Sequence, residues 1–156
     1  MKNENGIEKS AILKGQTLVN LFKEAYRETS VNEEFLFFKI IGSQLQTVKP
    51  NTQYTLIFDK YIDGISTTIH KTHTSGLAIE SYQYGQKFTF TTLSDVGNEF
   101  HIFIKGDTLE IVQQMFDLQP KIIIIEGDYT QEDIPYFDGI QSVKMPVLTT
   151  TNTVEL

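Results

Sequence analysis

Gln53-Tyr54-Thr55-Leu56-Ile57-Phe58-Asp59 and Lys87-Phe88-Thr89-Phe90-Thr91-Thr92 decide the fold class of this chain. Successive side chains of a strand point to opposite faces. Tyr54, Leu56 and Phe58 therefore share one face and Thr55 and Ile57 the other, while Phe88 and Phe90 oppose Thr89 and Thr91. The reading is two strands with an aromatic core face and a threonine-rich face left to water. Similar runs, rich in β-branched and aromatic residues, recur between turn signals at residues 17–22, 35–41, 66–72, 77–82, 100–104 and 121–126. Together they make about eight strands, the number in a two-sheet jelly roll. The expected fold is all-β, an antiparallel jelly-roll-like β-sandwich with one or two short helices.

Between the runs, Asp63-Gly64 predicts a hairpin with a type I′ turn. Lys49-Pro50-Asn51-Thr52 and Asp95-Val96-Gly97-Asn98 predict further turns. Leu18, Leu21, Phe22 and Ala25 have helical spacing, so residues 17–27 are ambiguous, with strand preferred for the first half. Asp107-Thr108-Leu109-Glu110 has the form of a capping box, with Asp107 as the cap of a short helix ending before Pro120.

The chain has 156 residues, the size of one domain, and can bury roughly 70% of its extended surface without disulfides or a metal. The domain is placed at residues 12–147, with residues 1–11 as a flexible arm and 148–156 as a tail. Eleven Phe and seven Tyr are far too many for a disordered chain. A net charge of -7 opposes phosphate backbones, which excludes nucleic acid as the expected partner. The polar opening residues do not make a secretory signal, and the longest aliphatic run, Ile122 to Ile125, is too short to span a membrane. The absence of cysteine makes the fold indifferent to redox state.

Two clusters suggest chemistry and lose to plainer readings. His70 and His73 have metal-like spacing, but residues three apart on a strand face opposite sides, so neither a metal nor any other cofactor is expected. Glu126, Asp128, Glu132, Asp133 and Asp138 crowd the stretch around Gly127 and Gly139 without EF-hand spacing. A glycan-cleaving pair among them is the least favoured reading, and no catalytic residue is assigned. What remains is aromatic. Tyr82, Tyr84, Tyr129 and Tyr136 lie in or beside turns, and a tyrosine offers a sugar both an apolar face and a hydroxyl. Tyr82 and Tyr84 share a face if extended. Tyr136 and Phe137 are read first as rings that close the sandwich.

Ile122-Ile123-Ile124-Ile125-Glu126-Gly127-Asp128-Tyr129-Thr130, followed by Ile134-Pro135-Tyr136-Phe137-Asp138-Gly139-Ile140-Gln141-Ser142-Val143, resembles a module in structural proteins of phages and prophages of Gram-positive bacteria. Residues 12–21 and 48–55 are similar to the same modules. The resemblance implies a non-catalytic virion component of tail, baseplate, fibre or head-decoration type, made in the host cytoplasm and acting outside it. It also implies a jelly roll like those of carbohydrate-binding domains, with a host surface glycan and other virion proteins as partners, in a homo-oligomer. A purely architectural module is the alternative.

Overall fold

The structure is a computed structural model that describes residues 11–44, 46, 48–70, 82–96 and 99–148. It contains β1 (Ala11–Val19), β2 (Phe22–Asn32), β3 (Phe37–Gln44), β4 (Gln53–Phe58), β5 (Ile65–His70), β6 (Gln83–Tyr84), β7 (Lys87–Thr91), β8 (Glu99–Gly106), α1 (Leu109–Asp117), β9 (Ile122–Glu126) and β10 (Ile140–Leu148). Two compact units share the chain. The smaller holds most of β1 and β10, paired as a two-stranded sheet. The larger, residues 19–131 and 135–141, holds the other strands and the helix.

In the larger unit one sheet has the order β2-β3-β8-β5-β6 and the other β7-β4-β9. Every recorded pairing among these eight strands is antiparallel. Their inner faces share one core. Phe38, Ile40, Ile102, Ile104, Ile65 and Ile69 come from the first sheet, and Tyr54, Leu56, Phe58, Phe88, Phe90, Ile122 and Ile124 from the second. This is the all-β sandwich expected from the alternation in β4 and β7. The ring of Phe22 lies over Gly42 so closely that a Cβ there would stand 2.5 Å from its Cε2 and Cζ.

Several local expectations are corrected. The run 17–22 is not one strand, nor is 17–27 a helix, because β1 stops at Val19 and β2 starts at Phe22. Leu21 and Phe22 are both buried because the chain turns a corner there, which imitates helical spacing. Asn20 makes that corner. Fully buried, its Nδ2 donates to Ile122 O at 3.0 Å and to Phe137 O at 2.9 Å. Its Oδ1 accepts from Phe22 N at 3.0 Å and Ile124 N at 2.9 Å. The backbone continues the stitch, with Asn20 N donating to Gly139 O and Leu21 N to Ile124 O. Asn20 and Leu21 thus occupy ladder positions along the outer side of β9, the last strand of its sheet.

Asp63-Gly64 is no I′ hairpin, since Gly64 alone has positive φ, 93°, where that turn needs two such residues. The strands on either side belong to different sheets, so the segment passes between layers. The helix cap is Thr108 rather than Asp107, because it is the Thr108 hydroxyl that accepts from Ile111 N. Val112 and Met115 on α1 are buried, and Phe116 meets Phe38 edge to face at 5.6 Å. The threonine face of β4 is not left to water, for Thr55 is fully buried and Ile57 nearly so. Strands β6 and β10 carry the count beyond eight, and β10 takes in part of the expected tail. The arm through Ser10, the run 77–81, the turn residues 97–98 and residues 149–156 lie outside the described residues.

Candidate functional site

Register assembles the site. Ser66 on β5 pairs with Tyr84 on β6 and with Lys105 on β8, so the three stand in one row across three strands. Cross-strand partners project from the same face, and this face is the outer one, because Ile65 and Ile69 on either side of Ser66 belong to the core. Tyr82 and Asp107 join the row to line a groove of about 400 Å³, completed by the backbone at Gly64 and Gly106. Tyr82 is 46% exposed and Tyr84 is 73% exposed, so both rings are open to a ligand.

The turn that presents Tyr84 is held from beneath. The Tyr61 hydroxyl donates to Ile65 O at 2.8 Å and accepts from Gly85 N at 3.1 Å. Phe58 and Gln86 exchange bonds as well, Phe58 N donating to Gln86 O and Gln86 Nε2 to Phe58 O, each at 2.9 Å. Gly85 has φ of 101°, a conformation open chiefly to glycine.

Tyr129 and Tyr136 belong elsewhere. The Thr55 hydroxyl donates to Gly127 O at 2.6 Å and accepts from Tyr129 N at 2.9 Å, fastening residues 127–131 to the three-stranded sheet. Lys121 Nζ lies 5.1 Å from the centre of the Tyr136 ring, and Phe137 is buried. The structure therefore gathers two of the four expected tyrosines into one groove and ties the other two to the opposite sheet. Ser66 and Lys105 were not singled out in the sequence, and Asp107 was read there only as a helix cap. Strand register brings Ser66 and Lys105 beside Tyr84, and Asp107 follows directly on the end of β8.

Two residues of the acidic stretch have defined partners. Glu126 pairs with Lys49 at 3.2 Å. Asp128 accepts from the Thr130 hydroxyl at 2.7 Å and from Thr130 N at 3.0 Å, which holds its carboxyl below the usual range. Among the described residues no three His, Cys, Asp or Glu side chains could hold a metal ion. His73 lies outside them. No helix among them is long and apolar enough to cross a membrane.

Further along the same outer face, His70 is the cross-strand partner of His101, and its ring lies 4.2 Å from that of Phe103. Lys39 Nζ stands 5.6 Å from the centre of the same Phe103 ring, and His101 Nε2 meets Glu99 Oε1 at 3.3 Å. Burial first, then the charges of His101 and Lys39, lower the pKa of His70 below its ordinary value. The folded chain thus binds this proton less readily than the unfolded chain. Its contribution to stability is complete above about pH 6.5 and is lost as pH falls toward the lowered value. Urea midpoints measured at descending pH should fall more steeply for the wild type than for His70→Gln. Parallel curves would refute the coupling.

No family model matches the chain, and neither the curated proteins nor the solved structures provide a significant match.

Proposed function

We propose that this chain is a non-catalytic structural protein of a phage virion that holds host surface carbohydrate in the groove between Tyr82, Tyr84 and Lys105. The observation that carries the binding half is the pair of open tyrosine rings at a groove whose remaining side chains are polar. Such rings take the C–H face of a sugar while neighbouring hydroxyl, ammonium and carboxylate groups take its edge. The virion half is supported by the phage-module resemblance of residues 122–143. Each copy is expected to bind weakly, and many copies on one particle supply the strength. Even a millimolar site, about 4 kcal/mol, suffices when sites engage together.

A multimerised form of the protein should be retained on host cell-wall material and released by free sugar. Tyr84→Ala should lower retention by about tenfold, the equivalent of about 1.4 kcal/mol per engaged site. A multimer that binds no glycan and no cell wall would sink the carbohydrate half. The architectural alternative draws on a different feature. Phe35 is 60% exposed at the tip between β2 and β3, where Asn32 Oδ1 accepts from its N–H. Loss of association with other virion proteins in Phe35→Ser, with sugar binding absent throughout, would favour that reading.

A further inference from the structure

Resting on the carbohydrate reading, we infer that the groove selects neutral, hydroxyl-rich sugars and rejects glycans of net charge of either sign. Its polar groups are of three kinds. The Lys105 ammonium only donates, the Asp107 carboxylate only accepts, and the hydroxyls of Ser66, Tyr82 and Tyr84 do both. Among the described residues, neither the Lys105 ammonium nor the Asp107 carboxylate forms an ion pair or side-chain hydrogen bond. Each therefore exchanges water for ligand when the groove fills, and a charge that loses water without gaining a partner is costly.

That requirement sorts the ligands. An anionic sugar satisfies Lys105 and sets its charge against Asp107. A cationic amino sugar satisfies Asp107 and faces Lys105, which stands beside Ser66 in the row that starts at Tyr84. A neutral sugar satisfies both, because one hydroxyl donates to the carboxylate while another accepts from the ammonium. The surroundings weigh further against polyanions. Asp63 beside Gly64 and Glu110 in the first turn of α1 are exposed, and the whole chain carries -7.

The test is a titration of the intact protein, followed by amide NMR shifts, with three probes. These are neutral glucose and N-acetylglucosamine oligomers, poly(glycerol phosphate), and oligomers of unsubstituted glucosamine. Each is run from about 0.01 M to about 1 M salt, across which the screening length falls from about 30 Å to about 3 Å. Neutral oligomers should move the amides of Ser66, Tyr84 and Lys105, with a dissociation constant that changes less than about twofold across that range. The two charged probes should bind at least about tenfold more weakly, a difference of about 1.4 kcal/mol. Asp107→Asn should weaken the neutral probe while leaving the thermal midpoint in place. Tighter, salt-dependent binding of either charged probe at the same amides overturns the inference and leaves the binding module standing. Silence from all three probes overturns both.

Discussion

Replacing Asn20 by leucine is expected to cost about 4 kcal/mol or more, because four buried backbone groups lose their partners together. Ile122 O, Phe137 O, Phe22 N and Ile124 N are each bonded to this one side chain. A buried polar group left unpaired costs about 1 to 3 kcal/mol, and the sum is discounted because the corner relaxes as a unit. Of a stability of about 5 to 15 kcal/mol, such a change removes a large share. Asn20→Asp tests the chemistry at constant shape, since a carboxylate keeps the two acceptor contacts and replaces the one donating nitrogen by an oxygen that faces two carbonyl oxygens. Urea denaturation of both variants gives the answer. A loss below about 1 kcal/mol in Asn20→Leu would mean that these groups are satisfied in another way.

Gly42→Ala should destabilise the domain by about 2 kcal/mol, as overpacking of a full core does. The added methyl would fall 2.5 Å from two ring carbons of Phe22, which is itself fully buried and stacked at 6.3 Å on Phe100. The ring cannot swing aside without displacing Phe100. Shortening the ring in Phe22→Leu opens space over Gly42, so the two substitutions should cost less together than the sum of their separate effects. A double-mutant cycle should show a coupling of about 1 kcal/mol in that direction. Strict additivity would mean that the two residues do not meet.

What the sequence made legible follows from how locally each feature is determined. Alternation in Tyr54, Leu56 and Phe58 is set within one strand by the two-residue period of extended backbone, and the structure places all three in the core. The corner at Asn20 was hidden because its acceptors at Ile122 and Phe137 lie 102 and 117 residues away. Thr55 looked like a water-facing residue for the same reason, since the residues its hydroxyl serves, Gly127 and Tyr129, come from a distant segment. At the groove, Tyr82 and Tyr84 could be picked out as neighbours on one face beside Gly85. Lys105 could not, because only the pairing of β5 with β8 brings it beside Ser66. Tyr129 and Tyr136 carry the same side chain as the groove tyrosines, and their place on the opposite sheet is a tertiary fact that turn composition does not encode.

The stitch along β9 also bears on how the protein fails. Ile122-Ile123-Ile124-Ile125 is uncharged, β-branched throughout and free of proline, the composition of a segment that templates cross-β growth. It forms the last strand of its sheet, where bare backbone would invite another chain to pair. Asn20, Leu21 and Glu24 occupy that backbone, with Glu24 Oε2 accepting from Ile122 N at 3.4 Å. The corner thus covers the ladder positions at Ile122 and Ile124 that another chain would need in order to pair there.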